Sequence, residues 1–114
     1  MKLAIIGSRD FDDYDKAKKA FDIFKQWVTC VVSGGARGSD LLGKRIAEEY
    51  ELEYIEYLPD WTGPAGRGAG LERNTKIVNE CDMALVFHDG ASRGTQDSLN
   101  KLKKAKKHTF IVYF

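Results

Sequence analysis

The sequence predicts an α/β fold of three layers, α/β/α, built on a parallel five-stranded sheet. Three observations carry that expectation. Short β-rich runs alternate with stretches of helical periodicity from one end of the chain to the other, the pattern of right-handed βαβ crossovers. Several runs, such as TCVVS and MALVF, are almost wholly apolar, which suits strands covered on both faces. Glycines gather after the strands: ten of the eleven are expected in loops, and only Gly43 inside a helix.

In order, Lys2–Gly7 (KLAIIG) is the first strand. Tyr14–Trp27 places Ala17, Ala20, Phe21, Phe24 and Trp27 at helical spacing, with Asp12 or Asp13 as its cap,. Thr29–Ser33 is the second strand. Ser39 or Asp40 is expected to cap a second helix whose apolar stripe is Leu41, Leu42, Ile46, Ala47 and Tyr50. Glu53–Leu58 (EYIEYL) alternates only in part, as befits an edge strand,. A loop over Pro59–Gly68 leads to a short helix near Gly70–Glu80. Met83–His88 is the fourth strand, Thr95–Lys107 the last helix and Thr109–Phe114 the fifth strand. Topology alone suggests the strand order 3-2-1-4-5. No repeat, low-complexity tract or linker interrupts the sequence, so residues 1–114 are expected to form a single domain,.

Composition removes several function classes. Eighteen Lys and Arg against seventeen Asp and Glu leave a formal charge of +1, so no whole-protein field draws the chain to a polyanion or a membrane surface. Composition therefore gives a nucleic-acid partner no support, and none is expected on charge grounds,. The longest apolar runs fall far short of the roughly 20 residues of a membrane span. The Lys2–Ile6 run is too short for a signal-peptide core,. Cys30 and Cys81 lie far apart with only two histidines in the chain, which makes neither a zinc site nor a disulfide framework. No metal and no cofactor is expected, and the compartment is expected to be a reducing cytoplasm.

The strand ends carry the chemistry. In an open α/β sheet, ligands bind beyond the carboxyl ends of the strands, where the winding reverses. There the sequence places Gly7-Ser8-Arg9-Asp10, then Ser33-Gly34-Gly35-Ala36-Arg37-Gly38-Ser39-Asp40, then Pro59-Asp60-Trp61, then Asp89–Thr95 with Ser92-Arg93-Gly94-Thr95 at its end. Bare N–H groups at a helix start attract anions, since unpaired donors and the helix dipole converge there. Two glycine loops, each with an arginine and small hydroxyl residues, point to a ligand bearing phosphate. Neither loop contains Gly-Lys-Ser/Thr or G-x-G-x-x-G, which disfavours ATP hydrolysis and dinucleotide-dependent redox chemistry. Trp61 serves either as a face for stacking a base or as a plug over the sheet end. Arg73 and Asn74 offer a fork and an amide to a phosphate or sugar, or Arg73 pairs with Glu72 or Asp60. His88 reads as a structural histidine, and the lysines from Lys101 to Lys107 read as the solvated basic end of a helix.

GSRDF after the first strand, SGGARGSD after the second, Trp61 followed by Ala69-Gly70-Leu71-Glu72-Arg73-Asn74, and SRGT before the last helix together resemble the YspA-like (YpsA-related) branch of the SLOG superfamily. That superfamily joins the DNA-processing DprA proteins with the cytokinin-activating LOG proteins. The resemblance spans roughly Met1 to Val112. It implies a Rossmann-like fold whose strand-end cleft binds a nucleotide or nucleotide-derived molecule, and it implies homo-oligomers, for which Tyr54, Tyr57, Tyr113 and Phe114 are candidate exposed aromatics. The LOG relatives are phosphoribohydrolases with the motif Gly-Gly-x-Gly-Thr-x-x-Glu and an Arg on the preceding helix. Arg73, Gly94 and Thr95 match that pattern, but its Glu falls on Ser98, and a hydroxyl cannot stabilise an oxocarbenium-like ribosyl centre as a carboxylate does.

A binding or sensing module is thus preferred over a nucleoside-monophosphate N-glycosidase, and either over a DNA-handling protein. The expected ligand contacts are Gly7, Ser8, Arg9, Ser33, Gly34, Gly35, Ala36, Gly38, Ser39, Asp40, Trp61, Arg73, Asn74, Ser92, Arg93, Gly94 and Thr95. If a bond is cut, Arg73 with Asp40 or Asp10 would carry the catalysis.

Overall fold

Alternation within each strand builds the two faces of the sheet. In β1 (Lys2–Gly7), Leu3 and Ile5 point to one side and Ala4 and Ile6 to the other, because successive side chains of a strand oppose each other. The computed structural model describes residues 1–114. Leu3, Ile5, Val31, Leu85 and Phe87 pack under α1 (Tyr14–Asp22) and α2 (Ser39–Glu49) with Phe21 and Ile46. Ala4, Ile6, Val32, Ala84 and Val86 pack under α3 (Ala69–Glu80) and α4 (Arg93–Lys104) with Ile77, Val78 and Leu102. The result is an α/β/α sandwich of the Rossmann-like class.

The sheet runs β3-β2-β1-β4-β5 with every neighbouring pair parallel, the order expected from topology. β2 is Cys30–Ser33, β3 Glu53–Glu56, β4 Met83–His88 and β5 His108–Tyr113. The chain winds outward from β1 to β3, then crosses to β4, so the winding reverses between β1 and β4. Gly7 makes that junction tight: at φ +146° its missing Cβ would fall on the Phe87 carbonyl oxygen, and Ser8 N–H donates to the same oxygen at 2.8 Å.

Several boundaries differ from expectation, each for a local reason. The first helix stops at Asp22 rather than Trp27. Phe24 and Trp27 N–H groups then bond three residues back, to Phe21 and Phe24 carbonyls, in a tighter turn over Lys25–Trp27,. That turn aims Val28 into the core and leaves Trp27 exposed. Asp13, one of the two expected caps, accepts from Lys16 N–H. Neither Ser39 nor Asp40 caps α2; Gly38, at φ +76°, occupies that position without a side-chain bond. Gly94, expected in a loop, lies in the first turn of α4, while Gly70, the expected start of the third helix, is the second residue of α3. The last helix begins at Arg93, capped by the Ser92 hydroxyl, and ends at Lys104. Lys106 then turns back at φ +57°, and Lys107 Nζ donates to the Val78 and Cys81 carbonyls at the end of α3.

Tyr54 and Tyr57, expected as exposed aromatics, are half-buried against the two core clusters. Tyr113 and Phe114 are exposed, together with Phe110 and Ile111 on the same edge strand. No helix is long and apolar enough to cross a membrane.

Candidate functional site

Helix starts and strand ends share one edge of a parallel sandwich, so the four βα loops meet there. They enclose a cleft of about 560 Å³ above the β1/β4 junction. Its walls include Gly7, Ser8, Arg9 and Asp10 after β1, Ala36, Arg37 and Asp40 after β2, and Trp61 and Arg67 from the loop after β3. Gly70, Arg73 and Asn74 come from α3, and Asp89, Ala91, Ser92, Gly94, Thr95 and Ser98 from the loop after β4 and α4.

The glycine-rich loop after β2 is arranged differently from a simple anion cradle. Asp40 folds back and its carboxylate accepts from Ala36 N–H at 3.1 Å. Burial, at 6% exposure, pushes its carboxyl up to about 6, against the opposing pull of the Arg73 guanidinium,. Ser33 and Ser39, expected as ligand donors, are not brought to the cleft. Ser33 is fully buried with its hydroxyl 2.5 Å from the Ile5 carbonyl, and Ser39 donates to the Ser8 carbonyl at 2.8 Å. Both hydroxyls pin the loop to β1 instead. Gly38 lies against the Arg9 backbone.

Arg73 reaches across from α3 to this loop. Its Nη1 donates to the Gly34 carbonyl at 2.7 Å and its Nε to Asn74 Oδ1 at 3.0 Å. The pairing with Glu72 or Asp60 does not form: Glu72 sits 3.8 Å from Lys76 Nζ, and Asp60 accepts from Thr62. Gly34 makes the reach possible, since a Cβ there would fall on Arg73 Nη1. Asn74 is buried and donates to the Gly94 carbonyl at 3.3 Å and to Asp97 at 3.2 Å, tying α3 to α4. Burial lowers the pKa of Arg73, which stays protonated at neutral pH.

The loop after β4 keeps its donors open. Asp89 accepts from Ala91 and Ser92 N–H, both at 2.8 Å, and from the Ser8 hydroxyl at 3.1 Å; those backbone bonds hold its carboxyl below the usual range. Ser92 Oγ accepts from Thr95 N–H. The N–H groups of Arg93 and Gly94 in the first turn of α4 find no protein acceptor, and of the two Gly94 lines the cleft, so that donor and the helix dipole lie at its wall,. The Arg93 side chain, expected at the ligand, is exposed and lines no part of the cleft.

Arg9 and Arg67, both exposed, have no ion-pair partner, and Arg37 is 3.9 Å from Asp10. Asp10 is itself mostly exposed. Trp61 rests its ring on Gly70, where a Cβ would stand 3.2 Å from the indole, with 55% of the residue open. His88 is buried, accepting from Gly90 N–H and contacting Gln96, a structural role. No cluster of three or more His, Cys, Asp or Glu side chains is placed to hold a metal ion.

Sequence reasoning missed Asp89 as the residue that shapes the last loop, although Asp-Gly-x-Ser is an Asx-turn pattern. It also missed Leu58 and Pro59, which line a side chamber beside the cleft; no local motif marks them.

Fold and cleft together define a Rossmann-like α/β/α domain with a polar strand-end site. No protein-family model matches the chain, and no curated protein sequence does. Two solved structures are similar to it. DNA processing protein A (DprA) from Streptococcus pneumoniae superposes with a TM-score of 0.79 at 17% identity, covering 96% of this chain and 49% of that one. DNA processing protein A from Helicobacter pylori, described in a study of its single-stranded DNA binding mode, gives 0.73 at 24% identity over 97% and 64%. The chain spans about half to two-thirds of those proteins, and the likeness establishes the fold.

Proposed function

We propose that the chain is a SLOG domain of the YspA-like branch that binds a nucleotide or nucleotide-derived small molecule in the strand-end cleft, without cutting it. One observation carries this reading: Gly94, whose N–H in the first turn of α4 has no protein acceptor, lines a cleft that Arg9, Arg37, Arg67 and Arg73 also line. Such a site neutralises phosphate with donors and cations already in position. The whole of residues 1–114 serves as the binding domain, in a cytoplasmic setting where the buried thiols of Cys30 and Cys81 stay free.

The lysines at the end of α4 support a compact ligand over a nucleic-acid track. Helices run antiparallel to the strands they follow, so Lys103 to Lys107 sit at the opposite end of the sheet from the cleft, where Lys107 is spent on α3 carbonyls. The Helicobacter pylori neighbour's DNA binding keeps a single-stranded nucleic acid as the second reading.

The test is thermal shift against a panel of nucleoside mono-, di- and triphosphates, with Arg9→Ala and Arg73→Ala beside the wild type. Stabilisation by at least one nucleotide, reduced in both variants, is expected. A panel that leaves the wild type unmoved refutes the reading.

A further inference from the structure

Beside the main cleft lies a second chamber of about 270 Å³, formed by Gly34, Gly35, Leu58 and Pro59. Arg9, Ala36, Arg37, Trp61 and Arg73 line both spaces, so the two are lobes of one site separated by an arginine-and-indole wall. Their chemistry differs. The main lobe ends at the α4 N-terminus, where Gly94 with its free N–H lines the wall. The side lobe offers an apolar surface, Leu58 at 63% exposure and Pro59, with Trp61 also on its wall. Gly35 holds that surface in place: at φ +72° its Cβ would lie 2.5 Å from Leu58 Cδ2, so only glycine lets Leu58 lie over the loop.

We infer that the site takes a two-unit ligand, two nucleoside-like halves joined through phosphate. The linking phosphate lies on the shared wall, against Arg9, Arg37 and Arg73. One half lies in the main lobe, and the ring of the other lies between Leu58 and Trp61. This rests on the nucleotide reading above and adds the size and division of the ligand. Three arginines concentrated where the lobes meet put the strongest cation density at the middle of the ligand, where a linker would carry its charge. A mononucleotide would leave either that wall or the side lobe unused. A long strand would need cations continuing beyond the lobes, and the lysine-rich end of α4 is on the far side of the sheet.

The experiment is isothermal titration of the wild type and Leu58→Asp with mononucleotides of the four bases, the matching 5′-phosphorylated dinucleotides, and a ten-nucleotide DNA strand. Leu58 is exposed and lines only the side lobe, so the variant is expected to fold, as circular dichroism checks. The wild type is expected to bind at least one dinucleotide about tenfold or more tighter than its mononucleotide, the worth of one stacked base. Leu58→Asp is expected to abolish that gain while leaving mononucleotide affinity unchanged. Equal affinity for one and two units, or loss of both in Leu58→Asp, overturns the two-lobe inference and leaves the nucleotide reading standing. Affinity that keeps rising to ten nucleotides overturns it in favour of a continuous strand. Absence of binding to every probe overturns both readings.

Discussion

Asp40 offers the sharpest test, because one side chain links loop shape, stability and ligand charge. Its carboxyl is pushed by burial from 3.8 to about 6, so the folded protein resists ionising it. Ala36 N–H and the Ser33 hydroxyl favour the charged form from the loop, and Arg73 does so from α3. Tyr54 lies near it on β3, its phenol pushed up by burial first, then by Glu56, and to a smaller extent by the Asp40 charge. At about 1.4 kcal/mol per pH unit, ionising Asp40 in the fold costs about 3 kcal/mol. A raised folded-state value means the native chain holds the proton longer than the unfolded one. The stabilisation is therefore complete below pH 3.8 and is lost as pH rises through about 6,. Asp40→Asn keeps an acceptor for Ala36 and removes the titration. Relative to the wild type, the variant is expected to gain about 2 to 3 kcal/mol between pH 4 and pH 7.5, read as about 10 °C in the difference of melting temperatures. Taking the difference cancels the pH dependence shared by all other groups. The same carboxylate, once ionised, opposes a phosphate in the cleft, so Asp40→Asn is expected to bind nucleotide more tightly at pH 7.5. A melting-temperature gap that is the same at pH 4 and pH 7.5 refutes the argument.

Other perturbations test separate parts of the structure. Gly7→Ala puts a methyl on the Phe87 carbonyl at φ +146°, and urea unfolding is expected to show a loss of at least about 2 kcal/mol. Asp89→Ala frees Ala91 and Ser92 N–H and uncouples Ser8; nucleotide affinity is expected to fall by about tenfold through loss of a preformed loop, with calorimetry as the check. The β5 edge carries exposed Phe110, Ile111 and Tyr113 with no charged residue between Lys107 and Phe114, so light scattering is expected to detect self-association that Ile111→Lys abolishes. Ser98→Glu returns a carboxylate to the cleft wall, and chromatography is expected to detect at most slow base release from AMP, since the carboxylate lacks its supporting contacts.

The layer order and the strand-end location of the cleft were legible because they follow from periodicity. Alternation in KLAIIG and the apolar stripes of the helices are local patterns, and parallel topology then leaves few places for a ligand. The identity of the groups facing it was less legible. Serine in SGGARGSD reads as a donor to ligand, yet in the fold Ser33 and Ser39 spend their hydroxyls on carbonyls of β1 and its loop. That outcome depends on how closely β1 and β2 run, which no neighbour in sequence reveals. Arg73 was recognised, but not its grip on Gly34, which spans 39 positions. Helix starts differ from expectation where the cap is another residue: Gly38 in place of Ser39 or Asp40 for α2, and Ser92 ahead of Thr95 for α4. Gly38 begins α2 with a positive φ, a choice set by its contact with the Arg9 backbone rather than by the helix itself.

The balance between binding and cutting comes down to the carboxylates that reach the cleft. Hydrolysis of a glycosidic bond needs one that can accept a proton or support positive charge at the sugar. Asp89 cannot move to do so without dismantling its loop, because Ala91, Ser92 and Ser8 all donate to it. Asp10 is mostly in solvent and sits 3.9 Å from Arg37, where water screens its charge. Asp97, the acid nearest to the missing position, is held by Asn74 and Lys101 as a tie between helices. Asp40 alone combines burial with a carboxyl near neutrality, and it is bound to the Ala36 N–H on the loop. Asp89 and Asp97 are bonded into the structure, Asp10 is in solvent and Asp40 holds the loop in shape, an arrangement that favours retention of a ligand over its turnover. Base release from AMP by the wild type that vanished in Asp40→Asn, with binding intact, would transfer the catalytic role to Asp40 and reverse that conclusion.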